Sequence, residues 1–395
     1  MINTTLFSQI INRLPRNSFK TIVDRFSGDK HNKGINSWTH LVAMLFLQFS
    51  RATSLREVCN GLISIGGNLN HLGITKKCPK RSSLSYINEH RDSEIFKEYF
   101  YKLYEQFSAN CSGKKIRFKI KKKILMIDST LISLCAKVFP WAHYGQTKGA
   151  IKLHTLLDYE GCLPKYVHIT DGKVADVTAV KEIPIPNQAV VVADRGYESY
   201  DLFKKWDEEK ITFVVRIKQT TGIIRYKEYP LPEEKHSEIL LNEEVLLEDP
   251  QRREKYPKKL RRVVIYLSPN DVTIELITNN FTWTAETISN LYKSRWQIES
   301  FFKDLKSRFK IKTFVGTSSN AVEIQIWTAL ITILVLKYLR SISKYNWSLS
   351  NLIAFLRMHL FTKMELEYWL DTPFKPPGEE IQKSQYSIFE NIRND

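Results

Sequence analysis

Three carboxylates and one cationic helix face are the residues of this 395-residue chain whose types and spacing could do chemistry. Asp128 follows the apolar run Ile124-Leu125-Met126-Ile127, and a carboxylate inside such a run is costly to bury unless a cation holds it. Asp194 ends Val190-Val191-Val192-Ala193, and the carboxyl end of a central strand is where α/β sheets place ligands. Glu299 stands on a third element, the helical stretch Leu291 to Lys310. Hard cations such as Mg²⁺ take oxygen ligands and keep water and substrate phosphate in their remaining positions. Two such ions about 3.5–4 Å apart activate a water or a 3′-hydroxyl and stabilise the leaving oxygen of a phosphodiester. Taken singly, each aspartate also reads as a capping or turn residue.

The helix that carries Glu299 has two faces. At 100° per residue, Tyr292, Arg295, Glu299, Phe302 and Lys306 fall within an arc of roughly 80°. Leu291, Ile298, Phe301, Phe302 and Leu305 form the adjoining apolar stripe that seats the helix on a core. Taken alone, this is also an amphipathic helix with an Arg295 to Glu299 pair at i,i+4 spacing.

The elements around these residues follow from the hydrophobic period. Residues 1 to about 105 read as helical, with Phe19 to Phe26, Trp38 to Ser50, Leu55 to Ile65 and Ser93 to Phe107 as the segments of helical spacing. Between Gly66-Gly67 and the last of these, Ser82-Ser83 could cap a short helix from Leu84 to His90. With Lys76, Lys77, Lys80 and Arg81 before it, that helix reads either as a DNA-reading element or as a basic loop between core helices. Residues 114–123, KKIRFKIKKK, carry seven basic side chains in ten and read as a cationic strand or as a solvated linker.

From Ile124 the period changes to two. ILMIDSTLISL, KLHTLLDYEG and PKYVHITDG read as strands, followed by a short helix from Asp176 to Ile183 and the buried strand before Asp194. A helix from Ser199 to Glu209 and the strand ITFVVRI complete a mixed α/β layer. Residues 218–280 interrupt it with the strand candidates RRVVIYL and VTIELIT. The helix at 285–310 then resumes the core, Val322 to Ile342 and Leu349 to Met358 follow as apolar helices, and a polar tail begins at Pro373.

Composition narrows the function class. Lys plus Arg outnumber Asp plus Glu by 59 to 42, for a net charge of +17, which points to a polyanionic partner. Five scattered cysteines without a CxxC pair suggest neither a disulfide framework nor a zinc site, and a reducing cytoplasm follows as the expected compartment. No secretory leader pattern opens the chain. The most apolar run, Trp327 to Leu336, is shorter than the roughly 20 residues a bilayer span needs, so no membrane association is expected. P-loop, dinucleotide, zincin and hydrolase-elbow motifs are missing. His143 and His154 read as core or surface histidines or as neighbours of the site, and Trp283 and Trp296 as core residues or as platforms for an unstacked base.

On Asp128 in IDST, Asp194 in ADRGY and the helical signature Y-x2-R-x3-E-x6-K at Tyr292, Arg295, Glu299 and Lys306, the chain resembles the DDE transposases of bacterial insertion sequences, in the insertion-sequence-four branch. The resemblance spans about 125 to 310. It implies an α/β (mixed) fold with an RNase H-like catalytic core, a β-rich insertion and an all-α N-terminal domain. The implied layout is a DNA-binding domain at 1–110, the core at 111–217 and 281–345 around the insertion at 218–280, and C-terminal helices with a tail at 346–395. Asp128, Asp194 and Glu299 are then the catalytic ligands of two Mg²⁺ ions, with Mn²⁺ as the substitute. Tyr292, Arg295 and Lys306 contact DNA, joined in the expected DNA-binding set by Trp296, Lys80 and Arg81. The implied partners are double-stranded DNA, at transposon ends and target, and a second copy in a synaptic homodimer at the nucleoid. The implied reaction nicks the element's end, passes through a hairpin and joins the 3′-OH to target DNA. The competing readings are an end-binding repressor or decayed copy, and another RNase H-like nuclease. Without metal, Arg295 is expected to hold Glu299.

Overall fold

A computed structural model describes all residues except 1–2, 31–33, 65–67, 75–77, 112–117, 145–147, 232–237, 268–270, 312 and 376–395. In chain order the helices α1 (Leu6–Asn12), α2 (Arg16–Arg25), α3 (Ser37–Ser50), α4 (Leu55–Ile63), α5 (Arg81–His90) and α6 (Glu94–Cys111) come first. The strands β1 (Ile124–Leu134), β2 (His143–Tyr144), β3 (Lys148–Asp158) and β4 (Leu163–Asp171) follow. Next are α7 (Asp176–Ala179), β5 (Val190–Ala193), α8 (Tyr200–Glu208) and β6 (Thr212–Arg216). Then come β7 (Ile223–Glu228), β8 (Ile239–Leu247), α9 (Pro250–Lys255), β9 (Leu260–Leu267) and β10 (Val272–Thr278). The chain closes with α10 (Ala285–Ser294), α11 (Trp296–Arg308), α12 (Ser319–Ile342), α13 (Leu349–His359) and α14 (Leu366–Asp371). These elements fall into two compact units, Met1–Leu103 with Leu330–Asp395, and Tyr104–Ala329. The partition passes through α6 and α12.

In the first unit, side-chain caps fix where helices start: Thr5 caps α1, Asn36 caps α3 and Ser54 caps α4, each accepting a backbone N–H two or three residues into the helix. The run SWTHLVAMLFLQF of α3 is buried throughout, so it is the helix the others pack on. The two ends of the chain meet here. Leu6 N donates to Thr362 O at 3.0 Å and Phe7 N to Leu360 O at 2.9 Å. The Gln9 amide spans Met364 O and Leu366 N. The sequence pattern misses α1 and α14, which are too short to show a period. The helix α5 begins at Arg81, so Ser82 and Ser83 lie inside it and do not cap it. It turns Leu84 and Asn88 inward and Tyr86 outward, stacked on His90. Lys76 and Lys77 lie outside the described residues.

The second unit is built on one sheet, ordered β2-β3-β1-β5-β6-β10-β9-β8-β7 with β4 paired to β3. β1 runs antiparallel to β3 and parallel to β5, and β5 runs parallel to β6. β5 is buried at all four residues, which is why Val190 to Val192 carry no polar alternation. Burying each of those valines contributes roughly 1.5–3 kcal/mol. One face of β1, β5 and β6 packs against α8 through Leu125, Ile127, Val191, Phe203 and Trp206.

The segment 218–280 holds four strands, β7 to β10, and continues the same sheet through the β10 and β6 pairing. Residues 118–123 form no strand, and 114–117 lie outside the described residues. The helix expected over 285–310 is two helices that meet at Arg295, where i→i+3 bonds from Arg295 N to Tyr292 O and from Ile298 N to Arg295 O tighten the chain. α12 is long and apolar enough to cross a membrane, yet 83% of its most apolar window is buried inside the protein, as in a core helix.

Candidate active site

The strand register brings the first two carboxylates together. In the parallel pair, Ile127 faces Ala193, so Asp128 and Asp194 are the next residues along adjacent strands, whose axes lie about 4.8 Å apart. Asp128 sits inside β1 because the strand continues to Leu134, whereas Asp194 leaves β5 and accepts a bond from Arg195 N at 2.7 Å. The third carboxylate arrives on α11, whose inward residues Ile298, Phe301, Phe302 and Leu305 seat it, with Glu299 in its first turn.

One guanidinium links two of the three, and a phenol beside it holds the third. Arg295, 7% exposed, donates from Nη1 to Asp128 Oδ2 at 3.1 Å and from Nη2 to Glu299 Oε1 at 2.5 Å. The Tyr292 hydroxyl donates to Asp194 Oδ1 at 3.3 Å, and its ring lies 5.6 Å from the Arg295 guanidinium carbon. The expected Arg295 to Glu299 pair is thus present, extended to a carboxylate 167 residues earlier in the chain.

Electrostatics match this crowding. Burial pushes the Asp128 carboxyl up to about 6, helped by the charges of Asp194 and Glu299 and opposed by Ser129 N–H and Arg295. Burial works against the Arg295 charge, but Tyr292 and all three carboxylates raise its pKa above the ordinary arginine value. Tyr292 is raised by burial and by Asp194.

Three carboxylates of this kind suit a hard divalent cation as a donor set. Among the described residues, no group of three or more His, Cys, Asp or Glu side chains is gathered closely enough to hold an ion; the guanidinium bridges Asp128 and Glu299.

The other expected residues scatter. Trp296 is 60% exposed at the start of α11. Lys306 is half-buried and lies within about 20° of Glu299 on α11, about 10 Å further along the axis. Trp283 is half-buried, with its carbonyl held by Arg261. Lys80 and Arg81 are exposed at the start of α5, in the first unit. His154 is fully buried and points to the opposite face of the sheet, and the His143 side chain lies outside the described residues. Sequence reasoning missed Asp176, Ser129 and Tyr197, which gather behind Asp128. Only strand alternation, which places Ser129, His154 and Lys152 on one face, could have hinted at that group.

The Transposase DDE domain family matches residues 119–335, more than half of the chain, and the match contains Asp128, Asp194 and Glu299. The chain is a DDE-domain transposase. Residues 2–75 match a separate domain of unknown function. The candidate transposase y4zB of Sinorhizobium fredii (strain NBRC 101917 / NGR234) is 30% identical over 283 residues, 71% of this chain and 77% of that one. The transposase assigned to insertion sequence element IS5377 of Geobacillus stearothermophilus is 29% identical over 63% of this chain and 66% of that one. A third relative, assigned to element IS4SA of Synechocystis sp. (strain ATCC 27184 / PCC 6803 / Kazusa), is 26% identical over 73% of this chain and 80% of that one. The piggyBac transposase synaptic complex with hairpin DNA aligns over 97% of this transposase and 83% of that chain at 13% identity, with a TM-score of 0.39, too distant to place any element.

Proposed function

We propose that this transposase, of the insertion-sequence-four type, cuts DNA at the ends of its element and joins the freed 3′-OH to target DNA, with Asp128, Asp194 and Glu299 as the metal ligands. The observation that carries the proposal is the convergence of Asp128 and Glu299, from β1 and α11, on the buried Arg295 guanidinium, with Asp194 at the end of β5 held by the neighbouring Tyr292. The strand order β4-β3-β1-β5-β6, three antiparallel strands followed by two parallel ones, supports an RNase H-like core.

When bound, two Mg²⁺ ions, with Mn²⁺ as the substitute, supply an activated water or 3′-hydroxyl and offset charge on the phosphodiester. The chain's own residues do the rest. Arg295 acts as the resident cation that neutralises Asp128 and Glu299 before DNA arrives, and its guanidinium then serves the scissile phosphate. Tyr292 holds Asp194 in place through its hydroxyl. Lys306, on the Glu299 side of α11, tracks the backbone one or two phosphates away. Trp296, exposed beside the site, offers a stacking face for a base turned out of the duplex, which supports the hairpin route. Arg81 and Lys80 at the start of α5 add end-binding contacts, and two ends brought together call for a homodimer on DNA.

The test is cleavage of the element's own terminal inverted repeats with Mg²⁺. Glu299→Gln is expected to bind those ends with parental affinity and leave them uncut. Parental cutting by that variant overturns the assignment.

A further inference from the structure

Behind the catalytic face, on the opposite side of the sheet, a fourth carboxylate is anchored at several points. Ser129 follows Asp128 and pairs across the ladder with His154, so both side chains leave the sheet on the face away from Glu299. Asp176, the first residue of α7, meets them there: its Oδ1 lies 3.3 Å from His154 Nδ1 and 3.5 Å from Lys152 Nζ. Burial pushes the Asp176 carboxyl up, but its neighbours His154, Ser129 and Lys152 hold it below the ordinary carboxylate value.

The same carboxylate also reaches the turn after β5. A Cβ on Gly196, two residues past Asp194, would lie 3.3 Å from Asp176 Oδ2, so the absent side chain lets the turn close on the carboxylate. Tyr197, 1% exposed, closes that turn, and burial, with the charges of Asp176, Asp128 and Asp194, raises its hydroxyl pKa. The His154 ring is itself fixed, with Nε2 3.0 Å from Thr170 Oγ1 on β4.

We propose that Asp176 is a positioning residue that sets where Asp194 stands relative to Asp128, by holding His154 on β3, the ladder partner of Ser129 on β1, against the Gly196 turn. It touches neither DNA nor metal. It sets, from behind, the distance between two carboxylates that Arg295 and Tyr292 hold on the other face. The inference rests on the reading of Asp128 and Asp194 as metal ligands.

The test measures Mn²⁺ binding to the whole protein directly, by the paramagnetic signal of free ion, alongside Mg²⁺-dependent cleavage of end DNA and thermal unfolding. Buttressing groups behind a metal site typically change metal affinity by about 10–100-fold. Asp176→Asn is therefore expected to weaken Mn²⁺ binding and raise the Mg²⁺ needed for half-maximal cleavage by about tenfold or more, with end-DNA affinity unchanged. His154→Gln should share the defect, and the Asp176→Asn, His154→Gln double variant should be no worse than the worse single one. Parental Mn²⁺ affinity in folded Asp176→Asn and His154→Gln overturns the inference, as does a lowered melting temperature with unchanged affinity. If Asp176→Asn does not fold, His154→Gln decides alone. The control Asp128→Asn separates the two failures. If it binds Mn²⁺ like the parent, the ligand reading falls and takes this inference with it; if it loses binding while Asp176→Asn keeps it, only the positioning role falls.

Discussion

Replacing Asp128 by asparagine should make this transposase more stable at neutral pH while removing its activity. In the metal-free protein the Asp128 carboxyl rises from 3.8 to about 6, chiefly through burial. A folded pKa above the unfolded one means that the native state binds the proton more tightly, so ionising the group costs stability. Well below pH 4 the carboxyl is protonated in both states and the cost vanishes. It grows as pH rises and is complete above pH 6. The gap from 3.8 to about 6 is worth about 3 kcal/mol at about 1.4 kcal/mol per tenfold in proton affinity. The side chain is 21% exposed, so screening trims this to about 2 kcal/mol. Asparagine keeps the shape without the charge. Unfolding in chelator at pH 7.5 should therefore show Asp128→Asn about 2 kcal/mol more stable, roughly 4–8 °C in midpoint for a unit of this size. Near pH 3, where the carboxyl is largely protonated in both states, the two proteins should coincide. Adding Mg²⁺ should raise the parent alone, by about 2.7 kcal/mol at a hundredfold excess over Kd. A variant less stable than the parent at pH 7.5 in chelator, or a difference that ignores pH, refutes the reasoning.

Other perturbations separate the roles around the same cluster. Arg295→Ala leaves Asp128 and Glu299 facing each other without their shared cation, and breaking a buried pair from one side costs about 3–5 kcal/mol. Its melting temperature should fall in chelator and recover in Mg²⁺; a loss that Mg²⁺ does not touch argues against a shared cation position. Trp296→Ala removes a side chain that is 60% exposed, so stability should stay within about 0.5 kcal/mol. Affinity for end DNA with an unpaired base should drop about 5- to 100-fold, from about 1–3 kcal/mol per stacked base, by competition binding. Unchanged affinity removes the stacking role. Tyr292→Phe deletes one bond to Asp194 and should slow cleavage only several-fold, about 0.5–1.5 kcal/mol, in single-turnover assays.

What the sequence made legible follows where burial, not charge, decided the structure. β1, β3, β5 and β6 are runs of Ile, Leu and Val that write their burial directly into the chain, and they position Asp128 and Asp194 by register alone. β7 and β8 hid because they are charged. IIRYKE is exposed along most of its length, and ILLNEEVLL is held by Glu243 with Arg262 and Glu244 with Lys259, pairs that no alternation of apolar residues announces. Asp176 hid for a related reason, since its partners come from β1, β3 and the turn after β5.

Arg295 shows where period-based reading stops. Helical spacing correctly pairs it with Glu299 four residues on, but it also predicts an unbroken helix through both. The helix breaks at Arg295 itself. A guanidinium buried at 7% exposure has to satisfy Asp128 as well, and that partner lies on another element. Tyr292, on the last turn of α10, meets Asp194 on the same side. The junction therefore places two donors on one helix end and Glu299 on the start of the next, so that Arg295 holds Asp128 and Glu299 while Tyr292 holds Asp194 beside them. A local period cannot encode that demand, because its cause is the electrostatic cost of leaving Asp128 buried and alone.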